Sequence, residues 1–263
     1  MTNLYEFQDL KAKSTKVVLM PEALTFGGVN IDEELAGYRT LNVSGRENFT
    51  RSVNTANSTA DGELFISSKI DTAELTIKYQ LNADTIDEFN RRYTQLKYCL
   101  QGEEKPFYFA DENEFVRYGT VTSLNNDTVG EINTTGTITI KMTDPFRHGQ
   151  LKTGSGTGTL VFNDPQMKYR QKIDKVYFNI TTQTNTLTFT IDNYRLSVSG
   201  SFTVGSLITI DFNSLTIKQG TLSILSGVNI LLTDIFEAKV SNGSVITSPF
   251  TNKINTEYRV RIL

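Results

Sequence analysis

Residues 74–81 read Glu74-Leu75-Thr76-Ile77-Lys78-Tyr79-Gln80-Leu81. Apolar Leu75, Ile77, Tyr79 and Leu81 alternate without a break with polar Glu74, Thr76, Lys78 and Gln80, the period of a strand with one buried face. A slip of one residue would turn the polar set into the core, so the register is tightly specified. Directly afterwards the period changes. Ile86, Phe89, Tyr93, Leu96 and Leu100 recur at spacings of three and four, which predicts a helix over 83–101. Asn82 or Asp84 is the expected cap, and Asp84, Asp87 and Glu88 sit where the helix dipole favours negative charge. Gly102 supplies the left-handed residue past the end. The stripe covers about two and a half heptads, too short for a coiled coil, and reads as a helix packed on a sheet.

Outward from this strand-helix pair the chain continues as strands. Upstream, Leu41 and Val43 alternate with Asn42 and Ser44 in a strand over Tyr38–Ser44. An entry strand is expected at Val17-Val18-Leu19, ended by Pro21 and the Gly27-Gly28 breaker. Residues 52–62 are small and polar and read as a loop ending in an Asp61-Gly62 turn. Downstream come Phe107-Tyr108-Phe109, an acidic turn at Asp111, Glu112 and Glu114, a strand over Phe115–Thr122, and an alternating strand over Thr135–Met142 that closes on Asp144-Pro145-Phe146.

Residues 149–158, Gly149-Gln150-Leu151-Lys152-Thr153-Gly154-Ser155-Gly156-Thr157-Gly158, have the composition of a flexible linker. They lack the GxGxxG spacing and the following Lys-Ser/Thr of a phosphate cradle. Beyond them the chain reads as strands throughout: Thr159–Phe162, Lys175–Thr181, Thr186–Ile191, Leu196–Thr203, Leu207–Phe212, Leu215–Lys218, Ile230–Leu232 and Tyr258–Leu263. Turn signals recur every ~8–12 residues, the rhythm of an antiparallel sandwich. The expectation is a mainly β chain of two domains: residues 1–148 as a β-sandwich-like domain with the single helix, 149–158 as linker, and 159–263 as a second sandwich.

Composition narrows the function. The 263 residues carry a net charge of -3, and no Lys/Arg cluster offsets it, which argues against a dedicated nucleic-acid binder. The Arg91-Arg92 pair reads as the edge of a solvated helix face. A single cysteine, Cys99, excludes an internal disulfide and fits a reducing compartment. Its expected place is a buried or half-buried position on the helix. No signal peptide is visible in residues 1–13, and the longest apolar runs are far shorter than a membrane span.

Catalytic chemistry finds no foothold. The single histidine, His148, would have to serve any Ser-His-Asp or Cys-His arrangement, yet it lies beside the linker and reads as an exposed polar side chain. One His and one Cys cannot make a zinc site. Asp111, Glu112 and Glu114 lack the spacing of a calcium loop and read as an acidic surface turn. No catalytic, cofactor-binding or metal-binding residue is assigned, and no cofactor is expected.

An ordered series of motifs carries a family resemblance. It runs Gly37-Tyr38-Arg39-Thr40; Asp61-Gly62-Glu63-Leu64-Phe65-Ile66; Asp71-Thr72-Ala73-Glu74-Leu75-Thr76-Ile77; the helix with Phe89, Leu96 and Leu100; Phe107-Tyr108-Phe109; Tyr118-Gly119-Thr120-Val121; and Gly136-Thr137-Ile138-Thr139-Ile140-Lys141-Met142-Thr143-Asp144-Pro145-Phe146. In this order they resemble the N-terminal domain of siphophage distal tail proteins, the Dit family, of phages infecting Gram-positive bacteria. Gly205-Ser206-Leu207-Ile208-Thr209-Ile210-Asp211, Leu215-Thr216-Ile217 and Asn229-Ile230-Leu231 resemble its galectin-like C-terminal sandwich. The usual Gly-x-Asn before the last strand is missing, and the loop at Asn54–Asp61 is longer than in compact members.

The resemblance implies a non-enzymatic virion protein of the tail tip or baseplate, assembled in the host bacterial cytoplasm. It implies a homo-hexameric ring formed by the N-terminal domains. The ring would sit between the major tail tube protein and the tail tip protein, with baseplate or receptor-binding proteins on the C-terminal domains and DNA only as passing cargo. No membrane insertion is implied. The alternative reading is a carbohydrate-binding adhesin in which residues 159–263 grip host wall polysaccharide.

Overall fold

The computed structural model describes residues 19–58, 61–127, 131–248 and 253–263. The chain divides into two compact units, with the boundary between Pro145 and Phe146. In the N-terminal unit the elements run β1 (Leu24–Phe26), β2 (Val29–Asn30), α1 (Ile31–Glu34), β3 (Tyr38–Ser44), β4 (Arg51–Asn57), β5 (Glu63–Ile70), β6 (Ala73–Asn82), α2 (Ile86–Cys99), β7 (Lys105–Phe109), β8 (Arg117–Asn126) and β9 (Asn133–Met142). Seven of these strands form one antiparallel sheet in the order β2-β1-β7-β8-β9-β6-β3.

The alternation at 74–81 becomes the spine of this sheet. Leu75, Ile77, Tyr79 and Leu81 are fully buried, and Leu75 and Ile77 stand opposite Ile140 and Ile138 of β9. Tyr79 buries its ring against Tyr38 at 5.7 Å and satisfies its hydroxyl by donating to the Asn125 carbonyl at 3.0 Å. Gln80, on the polar side of the alternation, is nonetheless buried, and its amide donates to Asn133 Oδ1 at 3.0 Å.

Helix α2 begins later than its polar flank suggests. The cap is Thr85, whose Oγ1 accepts from the Glu88 amide at 3.2 Å, while Glu88 reaches back to accept from the Asp84 amide at 3.1 Å. This reciprocal arrangement outcompetes Asn82, which stays in β6, and Asp84 as a cap. Ile86, the first helical residue, is 60% exposed, and the buried stripe is Phe89, Leu96 and Leu100. Gly102, at φ +108°, lies past the end as anticipated. The Arg91-Arg92 pair divides. Arg91 is solvated, while Arg92 binds Glu88 at 2.7 Å and donates to the Asn82 carbonyl, tying the helix to the end of β6.

The C-terminal unit is a two-sheet sandwich. Its strands are β10 (Arg147–Thr157), β11 (Thr159–Val161), β12 (Lys175–Asn179), β13 (Thr184–Ile191), β14 (Tyr194–Phe202), β15 (Leu207–Asp211), β16 (Thr216–Gln219), β17 (Leu222–Ser223), β18 (Val245–Thr247) and β19 (Lys253–Ile262). A six-stranded sheet, β10-β19-β12-β15-β16-β17, faces a four-stranded one, β11-β18-β13-β14. Val176, Phe178, Ile208, Ile210 and Ile254 meet Leu187, Phe189, Leu196, Val198 and Ile246 in one core. The Phe178 and Phe189 rings stack across it at 5.3 Å.

Four readings of the sequence are corrected. Residues 149–158 are not a linker: they form most of β10, which pairs with β19 from Leu151↔Arg259 to Thr157↔Lys253. Glycine is needed there for close approach. A Cβ on Gly156 would lie 2.2 Å from the Thr159 carbonyl and 2.8 Å from Leu160 Cα, where β11 folds back. Residues 52–62 are not a simple loop, since Arg51–Asn57 pairs with Glu63–Ile70 as a hairpin. Ile230–Leu232 is a 3-10 turn, with Asn229 Oδ1 accepting from the Leu231 amide at 3.1 Å. His148 is a half-buried strand residue opposite Arg261, not an exposed one. Of the entry strand, Val17 and Val18 lie outside the described residues.

Candidate assembly surface

The loop between β3 and β6 should be short, because these strands are neighbours and their ends, Ser44 and Thr76, stand opposite each other. Instead the hairpin β4–β5 is inserted there. At ~3.3 Å per residue its strands reach roughly 20 Å. Residues Arg51–Val53 pair with Ile70–Ser68, a bulge follows at Asn54/Thr55, and Thr55–Asn57 then pair with Phe65–Glu63. The bulge raises the local twist and bends the arm. Almost every residue of both strands is exposed.

The arm carries apolar side chains that no core accounts for. Val53, Leu64, Phe65 and Ile66 are each more than half exposed, as is Phe49 at its base. Adjacent strand residues point to opposite faces, so Leu64 and Phe65 present apolar surface on both sides. Both faces of the arm are therefore available for contact. A two-stranded hairpin alone in water is marginally stable. The Ser52 hydroxyl donates to Asp71 at 2.6 Å and Arg51 to Ser68 at 3.3 Å, which braces its proximal half.

The base is fixed by a network of opposite charges. Arg46, just past β3, binds both carboxylate oxygens of Asp111 at 2.9 Å and Glu112 at 3.1 Å, and its guanidinium lies 4.8 Å from the centre of the Phe109 ring. Arg117 binds the same Glu112 at 2.7 Å, and Glu22 accepts from the Val43 amide at 3.0 Å. Burial pushes the Glu112 carboxyl up, but the hydrogen bonds and charges of Arg117 and Arg46 outweigh it and hold Glu112 below the usual range. Burial would lower the Arg46 guanidinium; Asp111 and Glu112 reverse this and raise it. The acidic turn of the sequence is therefore an anchor that locks β3, β7 and β8 beneath the arm, with Asp111 and Glu112 engaged.

The remaining residues singled out in the sequence do not converge on this surface. Cys99 is half-buried on α2, and burial together with the Glu34 charge pushes its thiol up, away from the reactive thiolate. Among the described residues no three of His, Cys, Asp and Glu are grouped to hold a metal ion, and no helix is long and apolar enough to cross a membrane. Only the second strand of the arm was legible, as the run Leu64-Phe65-Ile66 after Asp61-Gly62 on which the family resemblance draws, because Ser52–Asn57 has the composition of a loop.

No protein-family model matches the chain, and no curated protein matches its sequence. Among solved structures it is similar to the SPP1 Dit protein (gp 19.1), described as a paradigm of the hub adsorption apparatus in phages infecting Gram-positive bacteria. The two share 14% identity and superpose with a TM-score of 0.73, over 90% of this chain and 98% of that one. The chain has the fold of a distal tail protein. The Dit-like fold extends through both units, since a match over 90% of the residues cannot be confined to either. Chains of the phage P2 baseplate in its activated conformation, with Ca and with Sr, also match. Their identity is 9%, with coverage of 85% and 84% of this chain and 91% and 90% of theirs, at TM-scores of 0.45 and 0.47.

Proposed function

We propose that this chain is a structural protein of a phage tail, and that its N-terminal unit closes a homo-hexameric ring between the tail tube and the tail tip. In this reading the C-terminal unit carries baseplate or receptor-binding proteins, and DNA passes through the ring without being chemically altered. The observation that carries the reading is the superposition on SPP1 Dit along nearly the full length of both proteins. The β4–β5 arm supports it independently. Its apolar residues on both faces call for cover, and a heterologous contact repeated around a closed rotation gives each arm a neighbour without leaving an open end.

Light scattering coupled to gel filtration of the purified full chain, followed by negative-stain electron microscopy, tests the proposal. The expected particle contains six chains of 29.5 kDa around a central hole, formed alone or on addition of the cognate tube protein. A chain that stays monomeric with both tube and tip proteins present would overturn it.

A further inference from the structure

The chain's net charge of -3 conceals a division between its two units. Residues 1–145 hold 14 Lys and Arg against 22 Asp and Glu, a net of -8, whereas residues 146–263 hold 12 against 7, a net of +5. Three of the C-terminal cations fall within five residues, so a basic cluster does offset the overall charge locally. From Met167 to Ile173 the segment alternates. Met167, Gln171 and Ile173 are buried and Tyr169 is half-buried, while Lys168, Arg170 and Lys172 are exposed. The inner side is held from several directions. The Gln171 amide donates to the Val240 carbonyl at 2.9 Å, and the Val240 amide donates to the Gln171 carbonyl at 2.8 Å. Gln171 Oε1 accepts from the Arg261 amide at 2.9 Å, and the Tyr169 ring meets that of Phe146 at 5.0 Å.

The antiparallel bridge between Gln171 and Val240 sets Lys239 beside Lys172. Val240 is buried and Lys239 exposed, so the two lysines meet on the outward side. They flank a hydrogen-bonded pair, the position at which facing side chains stand closest, and like charges directly opposite each other are destabilising. No ion pair relieves them. Among the described residues none of Lys168, Arg170, Lys172 and Lys239 binds a carboxylate. Asp164 is engaged by Lys152 at 2.7 Å and Asp174 by Arg259 at 3.5 Å. Glu237, two residues before Lys239, is exposed and pairs with none of the four. An ordinary solvated face mixes signs, whereas this firmly held backbone displays four cations together.

We infer that this row of cations is a binding site for an extended phosphodiester polymer without bases, of the polyol-phosphate class. The inference goes beyond the hub reading and does not depend on the ring. Its first support is spacing. Cations two residues apart on an extended segment stand ~6.6 Å apart. Successive phosphates of such a polymer are joined by a short run of rotatable single bonds that can adopt that separation, so one chain can lay a phosphate against each cation in turn. Arg170 can grip two phosphate oxygens at once, and the lysines act as point charges beside it. Affinity comes from release of the counterions condensed on the polymer. The remaining chemistry disfavours other polyanions. Single-stranded nucleic acid is held by stacking its bases on aromatic rings as well as by charge, and the ring in this segment, Tyr169, is turned inward against Phe146. The four outward side chains include no apolar one, which leaves out both the buried centre of a protein interface and the apolar face of a membrane-surface segment.

The test measures binding of the full chain to unsubstituted poly(glycerol phosphate) by biolayer interferometry, at salt from ~50 to ~200 mM. Three variants separate the row from the unit's overall charge. One combines Lys168→Gln, Arg170→Gln and Lys172→Gln. A charge-matched control combines Arg195→Gln, Lys218→Gln and Lys253→Gln, and a charge-keeping variant combines Lys168→Arg with Lys172→Arg. All these positions are exposed, so the thermal midpoints should agree. For the wild type, log affinity should fall against log salt with a slope of about -3, from four contacts of ~0.7 each. The row variant should bind at least ~10-fold more weakly, with a slope near about -1. The other two variants should stay within about twofold of the wild type. Absence of wild-type binding would overturn the inference, as would equal losses in the row variant and its charge-matched control. So would tighter binding of oligothymidylate, polyglutamate or phosphatidylglycerol vesicles than of the polymer at equal charge. Particle size reports on the ring separately: a monomer that keeps row-dependent binding sinks the hub reading alone, and an intact ring without it sinks this inference alone.

Discussion

Glu112 sits between two guanidinium groups, 3.1 Å from Arg46 and 2.7 Å from Arg117, and its carboxyl is held below its ordinary value of 4.5. Because the folded state holds this proton less tightly than the unfolded chain, Glu112 favours folding fully above about the ordinary Glu range. That contribution is lost as pH falls through the folded value. Asp164, paired with Lys152 at 2.7 Å, and Asp211 are lowered in the same sense. Asp32 runs the other way. Burial raises its carboxyl although it accepts from the Thr40 amide at 2.8 Å and the Thr40 hydroxyl at 2.7 Å. Asp32 therefore favours folding in acid and offsets part of the loss. Glu112, Asp164 and Asp211 each lose their contribution on acidification below the ordinary carboxylate range, while Asp32 acts in the opposite sense. Urea melts of wild type and Glu112→Gln at pH 6 and pH 3 check the Glu112 contribution. The variant should be the less stable at pH 6, and the gap should narrow at pH 3. Parallel pH dependences in the two proteins would show that Glu112 is not the group responsible.

At the scale of elements, the β4–β5 arm separates folding from assembly. Leu64, Phe65 and Ile66 contribute almost nothing to the core, and surface substitutions of this kind change stability by only about ±0.5 kcal/mol. Replacing all three with serine should leave the urea midpoint of the single chain nearly unchanged while shifting the ring toward smaller species in gel filtration. A ring of undiminished size would place the inter-subunit contact elsewhere. The same arm shows what periodicity can and cannot disclose. Strands β3, β6 and β9 were legible because one face of each meets a core, which writes an alternation into the residues. The arm meets no core in its own unit, so Ser52 to Asn57 carry no period. Strand β10 was hidden differently: its glycines make room for Leu160 and for the Thr159 backbone, and the composition that permits close packing is also that of a linker. Ile230-Leu231-Leu232 misleads in the opposite sense. An apolar run reads as a buried strand, and here it is a pinned turn displayed to solvent. In each case the missing information is what lies beside the segment, which no local pattern records. The anchor of the arm shares this fate, because Arg46 and Asp111 are far apart in the chain and their pairing follows only from the sheet.

At the scale of the molecule, the position of β10 decides what can be cut from what. Its pairing runs entirely to β19, the last strand of the chain, and the C-terminal core draws only on residues from Leu160 onward. A fragment beginning at Phe146 keeps that core and the edge strand that covers β19. A fragment beginning at Thr159, the boundary that composition alone suggests, keeps the core residues but strips β10 away. That leaves one side of a ten-residue strand, β19, with unpaired backbone donors and acceptors, a template for edge-to-edge association. It also removes the Lys152 partner of Asp164, whose carboxylate accepts from the Tyr258 hydroxyl at 3.2 Å beneath the strand. Residues 146–263 should therefore give a soluble monomer with a cooperative thermal transition and a β-type circular dichroism spectrum. Residues 159–263 should aggregate or melt over a broad range. Equal behaviour of the two fragments would mean that β10 adds nothing to the sandwich. The domain boundary would then belong where the glycines are, after His148, and not at Pro145.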